Sequence, residues 1–338
     1  MICKEPGFSR VFLWSKENNI AEEFLQAYLC SPIRKRMKSA VGTATTSWSL
    51  VISDFKELTK VRLAVSVVFS SIAGYFLGAY QLDIWAILLL AFGGYCMVGA
   101  SNAYNQIIER DLDALMKRTR NRPLPAGRIS VSTAMTTAIV MTVLGIVALY
   151  MLNPKTALFG ALSIFLYTSA YTPLKTITPL SVFVGAIPGA IPFMLGWVAA
   201  TNEFGIEPGT LFMIQFFWQF PHFWALGWLL DEDYKRGGFK MLPTGKKDTA
   251  TVFQIILYTI WMSVISIMPV FGFTGRLLLS VPAAVIVLVM GLGMLFFAFR
   301  LYEKKDNAAA RKLMLAIVSY ITLMQIVFVV DKFSETLF

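Results

Sequence analysis

IWAILLLAFGGYCMVGASNAYNQIIERDLDALMKRTRNRPLPAG, residues 84–127, opens as a segment for hydrocarbon and closes as one for a charged surface. From Ile84 to residue 105 the apolar side chains run for about the 20 residues that a helix needs to cross a bilayer core. The polar groups begin before the apolar run ends, at Asn102 and Asn105, and pass without a neutral linker into Glu109, Asp111 and Asp113. Lys117, Arg118, Arg120 and Arg122 follow, closed by Pro123, Pro125 and Gly127.

Apolar runs of similar length recur at roughly 63–82, 131–152, 156–172, 180–200, 209–230, 249–272, 276–299 and 313–330. The whole chain of 338 residues is 57% hydrophobic and 15% charged, with a mean hydropathy of +0.64. Soluble domains are about 45–50% apolar and about 25% charged. The expected fold is therefore all-α: a polytopic membrane protein of nine transmembrane helices over 52–332. A cytoplasmic, poorly ordered extension is expected at 1–51 and a short tail at 333–338. Disorder, a collagen-like repeat and a disulfide scaffold are excluded, and Cys3, Cys30 and Cys96 form neither a metal nor a haem-attachment motif. Residues 1–50 lack the apolar core of a signal peptide, and the acids among them argue against a transit peptide.

The net charge is +10. If the nine runs are threaded in turn, Lys155, Arg276 and Lys332 are the only lysines and arginines that fall opposite the N-terminus. Such asymmetry marks the N-terminal side as cytoplasmic and removes nucleic acid as the default partner. The IRKRMK run at 33–38 suits anionic lipid.

On a helix, Asn105, Glu109 and Asp113 stand at i, i+4 and i+8 and share one face, whereas Asp111 points elsewhere. Two carboxylates and an amide are hard oxygen donors suited to Mg²⁺ held together with substrate phosphates. Arginines directly after them fork onto phosphate oxygens. The arrangement predicts a diphosphate site at the membrane edge, against the plainer reading of acids and bases that pair in solvent. The sixth run, FMIQFFWQFPHFWALGWLLDEDYKRGGFKMLPTGKK at 212–247, repeats the logic. Gln215, Gln219 and His222 form a polar stripe that descends toward Asp233, which basic residues follow. His222, the sole histidine, fits either an interhelical hydrogen bond or a wall of a substrate pocket.

NQIIERDLDALMKRTRNRPLPAG, with WQFPHFWAL and DYKRGGFKMLP, resembles the paired loop signatures of the UbiA superfamily of intramembrane prenyltransferases, and the Glu at position 109 is similar to its haem-farnesylating branch. The resemblance covers roughly 52–330. It implies nine helices around a central cavity and a cytoplasmic active site in the loops after helices 2 and 6, within the cell inner membrane. It implies Mg²⁺ near Asn105, Glu109, Asp113 and Asp233, with Lys60, Arg62, Arg118, Arg122, Lys235 and Lys240 around the diphosphate of farnesyl diphosphate. Protoheme would be the acceptor, with His222 and Gln219 beside it, and a haem A synthase or terminal-oxidase assembly a partner. Two departures stand out. The Lys-Pro-Arg entry to helix 1 is Lys60-Val61-Arg62 here, and the second aspartate expected four residues after Asp233 is Gly237. The rival readings are a prenyltransferase acting on a quinone precursor or another aromatic ring, and an anion transporter, whose sites usually lie nearer the midplane.

Overall fold

The computed structural model describes residues 48–335. The account below concerns the compact unit from Ile52 onward, together with the helix that leads into it. Residues 1–47 of the expected extension and the last three residues of the tail lie outside the described residues, whereas 48–51, expected to be poorly ordered, are already helical.

Helix starts follow their capping residues. The first helix, α1 (Trp48–Thr59), stops at Lys60, whose left-handed backbone (φ 49°) turns the chain into α2 (Val61–Gly78). Asp83 accepts from the Trp85 amide and opens α3 (Ile84–Ile108), after which come the short α4 (Arg110–Leu115) and, beyond the loop, α5 (Val131–Leu152), capped by Ser130. Asn153 caps α6 (Pro154–Phe165). This helix runs through a π turn, Leu166–Tyr171, into the single turn α7 (Thr172–Leu174). Next are α8 (Ser181–Thr201), α9 (Ile206–Leu229), α10 (Asp231–Arg236) and α11 (Thr249–Ile267), capped by Asp248. The last two are α12 (Val281–Lys304) and α13 (Asn307–Glu335). Among the described residues there is no strand. Each such cap satisfies an amide that the first helical turn leaves free. The cap also explains one displaced boundary: the run expected from 276 becomes helical only at Val281, because Ser280 takes the Ala283 amide.

Among the described residues, eight helices are long and apolar enough to cross a membrane. The expected sixth span is α9, of full length at 24 residues, but its glutamines, histidine and proline leave it outside that set. The helices pack in a circuit of neighbours, α2 on α3, α3 on α5, α5 on α6, α6 on α8, α8 on α9, α9 on α11, α11 on α12 and α12 on α13; α13 returns to both α9 and α2. Helix α8 is the most enclosed, with Ala186, Ala190, Phe193 and Val198 fully buried. It meets α2 backbone to backbone. A Cβ at Gly196 would collide with the Ser71 carbonyl, and one at Gly74 with the Phe193 carbonyl. Small residues permit this approach, on which membrane helices depend because lipid gives them no hydrophobic drive to associate.

The three cations expected opposite the N-terminus are all engaged. Lys332 donates to the carbonyls of Phe76, Leu77 and Ala79 at 2.9, 2.8 and 2.7 Å, which closes the end of α2. Lys155 caps α8 through the Asn202 carbonyl at 2.7 Å. Arg276 joins Tyr80, Glu203 and Glu207. Positive side chains belong at helix C-termini, where they meet carbonyls that lack intrahelical partners.

Gly196→Ala, which presses on backbone, should cost about 3 kcal/mol of stability. Gly209→Ala, which meets nothing within 4 Å, should be neutral or slightly stabilising. Thermal unfolding of the two variants in detergent measures the contrast.

Candidate active site

Helix α3 ends at Ile108, before the face of Asn105 and two acids is complete. Glu109 adopts φ −93° and ψ 7°, and α4 starts afresh at Arg110, so the expected single helix through Asn105, Glu109 and Asp113 is two helices. The spacing survives the break, because the amides of Glu109 and Asp113 still reach the carbonyls of Asn105 and Glu109 at 2.9 and 2.7 Å. All three side chains are buried, while Asp111 lies in solvent beside Arg110.

Buried carboxylates need partners, and each acid here has one. Glu109 is bound by Lys175 at 2.6 Å, their side chains only 5% and 9% exposed. Asp113 is bound through Oδ2 by Arg122 at 2.7 Å. Its other oxygen, Oδ1, is buried with no hydrogen-bond partner. Thr119 ties the Asp113 carbonyl into the loop, and Asn105 donates to the Thr172 hydroxyl at 3.4 Å.

Lys60 adds a third cation. Gln106 binds the carbonyls of Glu57 and Leu58, and Asn102 binds that of Thr59, so the end of α3 holds the left-handed turn in place. Burial, with the positive charges of Arg122 and Lys175, pulls the Lys60 ammonium down to about 7 against the opposing pull of Glu109 and Asp113. Tyr234 of α10 borders the same pole: burial pushes its hydroxyl up, and the Arg118 guanidinium beside it pulls the other way.

Three other expected side chains do not join these ion pairs, although the Lys240 amide donates to the Lys175 carbonyl at 2.7 Å. Arg62 is exposed on α2, Lys235 pairs with Asp231 at 2.9 Å, and Lys240 donates to the Ile177 carbonyl at 3.0 Å. Helix α9 stops at Leu229, so the expected stripe from Gln215 to Asp233 is interrupted before it reaches the loop. Asp233 accepts from the amides of Lys117 and Arg118, each at 3.2 Å, and from Arg236 at 2.8 Å.

Lys175 is a site residue that the sequence motifs do not include. Its signal was isolation, as the single charge in the link between two apolar runs. The π turn and α7 present it, and its ammonium lies 4.5 Å from the centre of the Tyr171 ring. From there aromatic rings continue away from the pole: Tyr171 to Phe223 at 6.0 Å, Phe223 to His222 at 5.7 Å, and His222 stacked on Trp218 at 4.6 Å. Tyr171 occupies room that Gly185 leaves, since a Cβ there would stand 2.5 Å from the ring. Gln219 donates to the Gly189 carbonyl and Gln215 accepts from Gln325. His222 Nδ1 is buried without a hydrogen-bond partner, so the interhelical bond considered for it is not made by that atom.

Among the described residues no three His, Cys, Asp or Glu side chains converge as a metal cluster. A divalent ion would therefore draw on two carboxylates, an amide oxygen and oxygens supplied by a substrate. Mg²⁺ favours that donor set, and the partnerless Oδ1 of Asp113 fits it.

The UbiA prenyltransferase family matches residues 67–323. A protoheme IX farnesyltransferase of Christiangramia forsetii is 69% identical, covering 84% of this chain and 94% of its own. One from Flavobacterium psychrophilum is 65% identical over 87% and 99%. Among solved structures, one reported for digeranylgeranylglyceryl phosphate synthase superposes with a TM-score of 0.69 at 17% identity, over 83% of this chain and 98% of that one. A UbiA homologue from Archaeoglobus fulgidus bound to GPP and Mg²⁺ superposes at 0.59 and 13% identity, over 82% and 99%. With helices packed in one circuit among the described residues, a buried pole of paired acids and cations at the mouth of α3, and these likenesses, the chain belongs to the UbiA prenyltransferase family.

Proposed function

We propose that the chain transfers the farnesyl group of farnesyl diphosphate to a vinyl group of protoheme IX, giving haem O and pyrophosphate. The observation that carries this reading is the double ion pair, Glu109 with Lys175 and Asp113 with Arg122, next to the aromatic path that ends at His222. The relatives named above, at 69% and 65% identity over most of the chain, support the acceptor.

The chemistry divides between the two regions. Asn105, Glu109 and Asp113 would hold Mg²⁺, which would supply positive charge to the departing diphosphate. Arg122, Lys175 and Lys60 bind and orient the phosphate oxygens, and Arg118 joins them at the rim. When the C–O bond of the allylic diphosphate breaks, the farnesyl cation is left against Tyr171 and Phe223. Their rings lower its energy and exclude water. The vinyl carbon then forms the C–C bond, and the positive charge passes to the carbon next to the macrocycle. Water adds there as hydroxyl and releases a proton. His222 and Gln219 border the acceptor. On this reading the pole faces the cytoplasm and the chain crosses the cell inner membrane nine times, as the distribution of basic residues favours.

Three outcomes test the reading. Glu109→Gln should abolish turnover of farnesyl diphosphate and haem, and leave Lys175 buried without its partner at a cost of about 3–5 kcal/mol. In Glu109→Gln/Lys175→Met the melting temperature should recover while turnover does not. Activity and melting curves on the same preparations decide this, and full activity in EDTA would sink the metal assignment.

Lys60 gives a pH signature. Its folded-state value lies well below the usual lysine range, at about 7, so the charged form is lost as pH rises through neutrality. Binding of an anion favours the charged form. Wild-type affinity for pyrophosphate should therefore fall, relative to Lys60→Arg, as pH goes from about 6 to about 9. Calorimetric titrations of both proteins across that range report the difference.

For the acceptor side, His222→Ala should weaken haem binding at least about tenfold, or shift the haem absorption band, with farnesyl diphosphate affinity nearly unchanged. Unaltered haem titration with only a lower melting temperature would make His222 a packing residue.

A further inference from the structure

Asp233 stands where the family's second loop supplies an acid, yet its carboxylate is turned to the first loop. Oδ1 accepts from the Lys117 amide and Oδ2 from the Arg118 amide, both at 3.2 Å, and Arg236 adds a third donor at 2.8 Å. Four residues on, Gly237 packs against the same stretch of loop: a Cβ there would stand 3.1 Å from the sulfur of Met116, which is almost wholly buried. The neighbour of Asp233, Tyr234, turns instead into the charged pole beside Arg118. So α10 grips residues 116–118 at two points, one polar and one apolar, and lines the pole with the residue between them.

We propose that Asp233 is a positioning residue for the farnesyl diphosphate site: it clamps the backbone of the first loop and thereby sets Arg118 and Arg122 around the diphosphate. The inference rests on the prenyl-transfer reading for the substrate alone. It recasts the second loop of this chain as a joint, with Gly237 serving as the seat for Met116 in place of a second acid.

The joint can be tested with no substrate present. In purified, metal-free protein, Asp233→Asn should speed hydrogen exchange of the Lys117 and Arg118 amides at least about tenfold, because a carboxylate acceptor has been weakened. The affinity for Mn²⁺, followed by electron paramagnetic resonance, should stay within about twofold of wild type, whereas Glu109→Gln should weaken it at least about tenfold. In turnover, Asp233→Asn should raise the KM for farnesyl diphosphate about tenfold and leave kcat within about threefold. Gly237→Val unseats Met116 with the carboxylate intact, and should reproduce the faster exchange and the higher KM. If Asp233→Asn weakens Mn²⁺ binding about tenfold with exchange at 117–118 unchanged, Asp233 is a metal ligand and the proposal falls. Normal exchange in Gly237→Val would also overturn it. Because exchange and Mn²⁺ binding are read without either substrate, a wrong acceptor would show as inactivity of the wild type and leave this test intact.

Discussion

Charge that has been taken out of water must be answered by charge of the other sign, and at the mouth of α3 this requirement organises the protein. Glu109 and Asp113 are buried carboxylates, and a buried carboxylate without a partner is costly. Lys175 reaches one from the end of α7, and Arg122 reaches the other from the loop before α5. Two connections that are distant in sequence are thereby fixed to the end of one helix. Fully paired, such a site is stable and chemically idle. On the proposed reading, Lys175 and Arg122 would turn from carboxylate to phosphate oxygens when a diphosphate enters, and Glu109 and Asp113 would then be free to hold a divalent ion. The partnerless oxygen of Asp113 shows that the pairing is incomplete even within the protein.

The opposite end of the bundle uses charge differently. Lys332, Lys155 and Arg276 close helix ends and pin connections there. They hold carbonyls and acids of their own face, so none is free to compete for an anion. The same sequence feature, a sparse set of cations, thus serves topology and local capping at once, which is economical in a chain whose remaining surface faces lipid.

Much of the fold was legible because hydrocarbon imposes length and apolarity on every span. The capping residues Asp83, Ser130, Asn153, Asp248 and Ser280 then determine where helices start to within a few residues. Helix α9 strained that reading for a good reason: its glutamines and histidine reduce its hydropathy because they serve the interior. In the site, the shared burial of Asn105, Glu109 and Asp113 could be read from spacing, since the i→i−4 bonds persist through the break at Glu109. Lys175 could not, because it approaches from another helix and no local pattern encodes that meeting. Lys235, Lys240 and Arg62 stand apart from the two buried ion pairs. Basic residues near a pole in sequence need not turn toward it, and these find an aspartate, a carbonyl and open surface instead.

The π turn at Leu166–Tyr171, in which the Thr172 amide reaches back five residues to Tyr167, holds one residue more than an α-helical turn would. Everything after it is rotated by about 100° from where a regular helix would have carried it. Tyr171, Thr172 and Lys175 owe their facing to that extra residue. A lineage or a designer that deleted a single position between 166 and 171 would keep an apolar span of adequate length and a plausible sequence. It would nonetheless swing the lysine away from Glu109. In this family of helices, therefore, an alignment gap of one residue in that segment carries more information about chemistry than a substitution on the exposed surface.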